Sequence, residues 1–263
     1  MRLSKAGRII CIAAALCITC SNTPRVYGQD SATIQPAAGR IPVLVELFTS
    51  EGCSTCPPAD DLLEDLVKHQ PIPGAFVIGL GEHVDYWNQL GWTDRFSSST
   101  YSQRQSAYAK NMKASEVYTP QMVINGTSQA SGSDRSAVVH AISAAAKKVT
   151  AVLTLSRTDQ KDAVLRVSVT LSGTSKGDQA GLFAAVTDDD DATMVTGGEN
   201  GGHSLRYGNT VRSMRAYGPI VDGQAKLLEI QLPPDFTKKK MHLVVFAQSA
   251  NQGSVLAAAS IAI

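Results

Sequence analysis

The chain has almost no net charge, no long apolar run past its first twenty residues, and few cysteines; each shortage narrows what it can be. Lys and Arg number 24 against 23 Asp and Glu, a formal net charge of +1, so the basic footprint of a nucleic-acid-binding protein is missing. Past residue 20 no stretch is apolar for long enough to cross a bilayer. Of five cysteines, Cys11, Cys17 and Cys20 stand near the N-terminus, which leaves only Cys53 and Cys56 in the body of the chain. That excludes a disulfide scaffold. A zinc centre needs about four ligands and has no second cysteine pair to draw on.

What is present begins with an export pattern. Arg2, Lys5 and Arg8 precede a short apolar run over residues 9–20, the layout of a secretory signal. Cleavage is expected after Gly28; lipidation at Cys20 is the alternative, with residues 17–19 a poor match for it. The mature protein is then periplasmic or secreted, residues 29–40 form a flexible lead-in, and the surviving cysteines lie in an oxidising compartment. At 263 residues with 43% hydrophobic content, the chain can bury a core in each of two domains.

Residues 43–68, VLVELFTSEGCSTCPPADDLLEDLVK, organise the rest. A brief β-branched run reads as a buried strand. A turn follows, then Cys53-Ser54-Thr55-Cys56, then Pro57 and Pro58, which a helix tolerates in its first turn. Ala59, Leu62, Leu63, Leu66 and Val67 repeat at helical spacing, with Asp60, Asp61, Glu64 and Asp65 expected to face away. Two cysteines at a helix N-terminus can close a small disulfide ring, and free amides there stabilise a thiolate. Cys53, just before the helix, is expected to be the more exposed and the attacking thiol; Cys56 resolves.

The next apolar run, residues 75–80, completes a strand, helix, strand unit whose strands should be parallel. Residues 81–87 then emerge at the edge that carries the cysteines. A helical stretch over about 97–112, a strand at 121–124, a hairpin at Asn125-Gly126 and a helix capped by Asp134 follow. From residue 150, short alternating stretches separated by turn signals indicate a β-sandwich-like domain. Residues 188–191 read as an acidic loop. Residues 197–203, GGENGGH, lack the order of a phosphate loop and read as a loop or hairpin connection able to touch the first domain.

Redox exchange leads an inert disulfide, and both lead a zinc site made of Cys53, Cys56 and His83. Glu46 is a proton-transfer candidate: alternation allows it either to turn into the core near Cys56, where its pKa would rise, or to face elsewhere. His83 is the second candidate, since imidazole suits proton transfer. Trp87 and Trp92 can wall a peptide site or pack a loop. No cofactor and no metal is expected.

These residues resemble a known family. ELFTSEGCSTCPPAD, the HVDYW run at residues 83–87, Gly91-Trp92, Arg104-Gln105 with Tyr108, and YTPQMVING at residues 118–126 are similar to the exported proteins of the DUF1223 family. Gly198-Glu199-Asn200-Gly201 and Asn209-Thr210-Val211-Arg212 fit its second half. The resemblance implies an α/β thioredoxin-like domain over residues 41–149, with a helical insertion at 82–116, followed by an all-β sandwich-like domain over 150–263. It carries over Cys53, Cys56 and a cis Pro120 beside them, with Thr119 offering its backbone to a bound peptide beside Trp87. The buried acid of thioredoxin lies one residue nearer the cysteines than Glu46 does, and Ser54-Thr55 matches neither the usual reductase nor the usual oxidase pair. The resemblance supplies no reaction. The expectation is an exported thiol–disulfide oxidoreductase acting on a protein or small thiol partner; the alternative is a non-catalytic binding or assembly module with a structural disulfide.

Overall fold

Strand β1 (Ile41–Thr49) has both faces buried and lies between two neighbours. It pairs in parallel with β2 (Ala75–His83) from Ile41↔Ala75 to Thr49↔His83, and antiparallel with β3 (Gln121–Ile124). The structure, a computed structural model, describes residues 39–175 and 179–263; the expected signal and most of the lead-in lie outside the described residues. Val43, Val45 and Leu47 pack against Ala59, Leu62, Leu63 and Leu66 of α1 (Pro57–His69) and Val138 and Ile142 of α3 (Arg135–Ala146). On the other face Leu44 and Phe48 meet Tyr101 and Tyr108 of α2 (Ser99–Asn111). The parallel β1–α1–β2 unit expected from the sequence is therefore present. Glu82 and His83, expected to open a helical insertion, instead complete β2.

Turn chemistry sets the next elements. Asn125 and Gly126 both have positive φ, 45° and 67°, as the central residues of a type I′ turn require; the turn is closed by Thr127 N donating to Ile124 O, and residues 125–127 join β3 to β4 (Ser128–Ser131), with Ile124 facing Ser128. Asp134 caps α3 by accepting from Ala137 N. The Thr119–Pro120 peptide is cis, as expected.

The remaining strands are β5 (Val152–Lys161), β6 (Val164–Ser172), β7 (Ala180–Asp188), β8 (Asp191–Met194), β9 (Ser204–Tyr207), β10 (Thr210–Ile220), β11 (Ala225–Gln231), β12 (Met241–Ser249) and β13 (Val255–Ala262). Eight strands form one mixed sheet in the order β13-β12-β7-β10-β2-β1-β3-β4. Strands from both sides of residue 149 share it, joined where Thr210 of β10 bridges Gly81 of β2. A second sheet, β11-β6-β5, lays Leu155, Val167, Val169 and Ile230 against Leu182, Val186, Leu243 and Val245 of the first. The fold is mixed α/β and mostly strand.

Two buried charge networks tie the layers together. Residues 188–191 form the expected acidic loop only at Asp189 and Asp190: Asp188 ends β7 and Asp191 opens β8, both buried. Lys239 pairs with both, and Arg212 lies 2.5 Å from Asp188. The cations offset the cost of burying the carboxylates. On the α2 face, Arg104 reaches Glu46 (2.5 Å), the Tyr108 hydroxyl (2.8 Å) and Gln248 of β12 (3.1 Å). Tyr108 in turn donates to Glu46 at 2.6 Å. Burial, reinforced by the charge of Glu46, pushes the neighbouring Glu82 carboxyl well above its usual range.

Gly126 provides a test of the packing. A Cβ there would lie 2.4 Å from the Gly253 carbonyl oxygen, whereas Gly74, also at positive φ (77°), faces open space. Gly126→Ala should cost about 2 kcal/mol more than Gly74→Ala, because only the first adds a backbone clash to the strain of φ. Urea unfolding midpoints at unchanged slope would measure the difference.

Candidate functional site

The turn after β1 is wound by hydrogen bonds spanning three residues each before the helix begins. Cys53 N donates to Ser50 O, Cys56 N to Cys53 O, and Ala59 N to Cys56 O. Cys56 is the N-cap of α1, with Pro57 and Pro58 filling the first positions, where no amide donor is needed. Cys53 and Cys56 are joined as a disulfide at this helix start.

The expectation that Cys53 is the more exposed cysteine is overturned. Both cysteines have 0% exposure, while Ser54 and Thr55 between them are exposed. The loop between β8 and β9 is bonded to this turn. Asn200 Nδ2 donates to the carbonyls of Glu51 (2.9 Å) and Cys53 (3.0 Å), and the Glu199 carboxylate accepts from Ser54 N (3.1 Å) and Ser54 Oγ (2.6 Å). Those two hydrogen bonds hold the Glu199 carboxyl below the usual range. The glycine-rich stretch thus does touch the first half of the chain, at the cysteines.

A second correction concerns Asp60. Rather than facing away, it is 6% exposed. It sits one helical turn after Cys56, where side chains four apart share a face, and it accepts from Thr49 Oγ1 at 3.2 Å. Burial pushes its carboxyl up to about 7, against the opposing pull of His83 and the Thr49 hydrogen bond. His83 is fully enclosed and donates through Nδ1 to Asp94 Oδ2 at 2.7 Å. Burial alone would lower the imidazole pKa, but the Asp94 carboxylate outweighs it and the pKa is raised. Burial would raise Asp94, yet His83 and the amides of Glu51 and Phe96 hold it low. Burial and the Asp94 charge raise the Glu51 carboxyl, whose Oε2 accepts from Trp92 Nε1 at 2.7 Å. Tyr207 of β9 closes this group, its ring 5.0 Å from the His83 ring.

Glu46 does not join that group. Its place in β1 puts it on the α2 face, committed to Arg104 and Tyr108, while Asp60 lies on α1 across the strand. Trp87 does lie by the cysteine turn: its Cβ is where a side chain on Gly52 would strike, at 3.2 Å, and its Nε1 donates to Thr119 Oγ1 at 2.8 Å. Pro120 is buried near the start of α1, since a side chain on Gly132 would touch both Ala59 and Pro120. Cys53, Cys56, Thr119, Pro120 and Trp87 therefore share one end of the fold. A cleft of about 840 Å³ between α1, β2 and β12 contains neither cysteine. Among the described residues no group of three or more His, Cys, Asp or Glu is arranged to hold a metal ion.

The sequence reading missed Asp60, Asp94, Tyr207, Glu199 and Asn200. Only Asp60 had a local signal, its spacing of four from Cys56. A carboxyl whose pKa folding raises favours the folded state at acid pH, and this contribution is lost as pH rises through about 7. Between pH 5 and 8 the wild type should lose roughly 1–3 kcal/mol more stability than Asp60→Asn, at about 1.4 kcal/mol per pKa unit. Urea titrations at both pH values measure it.

Comparison with known proteins agrees with this architecture. The crystal structure of a protein from Agrobacterium tumefaciens aligns with a TM-score of 0.67 at 24% identity, covering 86% of this chain and 96% of that one, a likeness of fold. A DUF3823 family protein from Bacteroides ovatus aligns at a TM-score of 0.30 and 10% identity, over 43% of this chain and 52% of that one. A domain of the outer membrane lipoprotein Omp28 from Porphyromonas gingivalis gives 0.30 at 12% identity, over 44% and 96%. Those two scores are too low to carry an argument. No curated protein matches the chain. The model of the family described as "protein of unknown function (DUF1223)" matches residues 44–248, and the chain belongs to that family.

Proposed function

We propose that this protein is a thiol–disulfide oxidoreductase of an extracytoplasmic compartment, acting through Cys53 and Cys56 on a protein or small thiol partner. The observation that carries the reading is the Cys53–Cys56 disulfide at the start of α1 with a buried carboxyl, Asp60, one turn behind it. The order of β1, cysteine helix, parallel β2, cis-Pro120 strand, hairpin and α3 supports a thioredoxin-like unit within the larger sheet. The export pattern before residue 29 supports the compartment.

In the direction that oxidises the partner, a partner thiolate attacks Cys53 Sγ. The Cys53–Cys56 bond breaks, a mixed disulfide forms on Cys53, and the electron pair leaves on Cys56 Sγ. Asp60, protonated over much of the pH range below 7, supplies the proton that neutralises Cys56. A second partner thiolate attacks the partner's sulfur in the mixed disulfide and releases Cys53 as a thiolate. The partner has lost two electrons, and this protein holds the Cys56 thiol and the Cys53 thiolate, which takes its proton from water; the reverse sequence reduces a partner disulfide, with Asp60 accepting the Cys56 proton. His83 with Asp94 acts behind Asp60, its positive charge opposing protonation of that carboxyl.

Complete burial of both sulfurs favours a second reading, a non-catalytic binding or assembly module in which the bond staples the turn. Equilibration with glutathione buffers followed by thiol trapping separates the two. A potential between about −120 and −270 mV supports exchange, and a bond still closed far below about −300 mV supports the staple.

Cys53→Ser should abolish exchange with a model dithiol, whereas Cys56→Ser should accumulate mixed disulfides in a non-reducing gel; retained turnover in the first variant would sink the assignment. Asp60→Asn should slow resolution about 10- to 100-fold near neutral pH and flatten its pH profile, the ordinary scale of general acid–base assistance. Glu46→Gln should lower the unfolding midpoint by breaking the Arg104 network while leaving the exchange pH profile unchanged.

A further inference from the structure

The loop between β8 and β9 is built to approach the turn that carries the buried cysteines and is held there by few bonds. Its base is closed by Val195 N to His203 O and Gly202 N to Val195 O. Close approach to the first half of the chain depends on glycine: a Cβ on Gly197 would lie 2.4 Å from the Gly91 carbonyl oxygen, and one on Gly198, at φ 67°, would lie 3.1 Å from Trp92 Cβ. Beyond this backbone contact, the loop reaches the cysteine turn through two side chains. Glu199 takes both donors of Ser54, and Asn200 gives both its protons to the carbonyls of Glu51 and Cys53. Val195 is the apolar anchor at the base, and residues 198, 199, 201 and 202 are exposed. Lifting the tip therefore exposes little apolar surface and breaks bonds that water can replace, the marks of a segment that opens without global unfolding.

We propose that residues 197–202 form a latch, fastened by Glu199 and Asn200, that must lift before either sulfur of the Cys53–Cys56 bond can react. This gives the regulation of the site described above and rests on that reading for its biological use. A partner gains access by displacing the two side chains, so the exchange rate is set by latch opening as well as by sulfur chemistry. Ser54 N–H and Oγ–H and the Glu51 and Cys53 carbonyls are then freed and line the surface that receives the partner.

The test uses the purified, oxidised protein and a neutral water-soluble phosphine, which attacks one sulfur and is hydrolysed to its oxide as two thiols form. Alkylation and mass measurement follow the rate. Wild type should react at least about 100-fold more slowly than an oxidised synthetic peptide of residues 50–59. Glu199→Ala should react about tenfold faster than wild type, the loss expected of a charge-assisted hydrogen bond, and the Glu199→Ala/Asn200→Ala pair faster still. Hydrogen exchange at α1 amides must stay unchanged in the variants, showing that they remain folded. A double variant within twofold of wild type would overturn the latch. If the variants do not fold, a wild-type rate within threefold of the peptide's would overturn it by itself, and a 100-fold protection with saturation at high phosphine would support it. Because the phosphine needs no partner, absence of exchange with any thiol partner would sink the oxidoreductase reading and leave this one standing, while an unprotected bond would do the reverse.

Discussion

A strand covered on both sides forces every side chain to choose a layer, and β1 makes that choice for the whole protein. Its odd positions, Val43, Val45 and Leu47, build the layer shared with α1 and α3; its even positions, Leu44, Glu46 and Phe48, build the one shared with α2. The pleat allows no intermediate. Glu46 is thereby committed to Arg104 and Tyr108, and the buried acid one turn behind Cys56 comes from α1 instead. Asp60 is the buried acid on that helix, because the helix starting at Pro57 turns it back toward Thr49 at the end of the same strand.

Behind the disulfide lies a set of buried charges that only make sense together. Asp94 raises the pKa of His83, and positive charge on that ring opposes the effect of burial on Asp60. Asp94 is kept ionised by His83 and by two backbone amides, one of them from Glu51 beside the cysteine turn. Trp92 spends its indole N–H on Glu51. Each group offsets another's desolvation, so their positions are rigidly linked to the turn that carries Cys53 and Cys56.

The loop bonded to that turn comes from far away in sequence. The β8–β9 hairpin reaches it because β10, which follows, enters the main sheet beside β2, placing residues 191–207 over the ends of β1 and β2 where the cysteines emerge. The second half of the chain is thus more than an appended layer. It extends the sheet and supplies Asn200, Glu199 and Tyr207 to the candidate site.

What could be read from the sequence was local. The cysteine spacing, the prolines, the helical repeat after them, the Asn125-Gly126 turn and the Asp134 cap each act over a few residues, so strand, helix and hairpin placement around the cysteines was legible. Period-two runs after residue 150 gave strands for the same reason. The sequence could not give which face Glu46 takes, since both are apolar. Nor could it give the burial of Asp60, which looks like any acid in a helix's first turn, or the pairing of Asp188 and Asp191 with Lys239. Least legible was the cover, because Glu199 meets Ser54 only through a sheet that joins strands more than a hundred residues apart. Short-range geometry is written in neighbouring residues, and the chain by itself determined the cysteine pair and the helix that bears it. Exposure and protonation depend on what packs against a group from elsewhere, so only the tertiary structure decided that the pair is covered and which acid stands behind it.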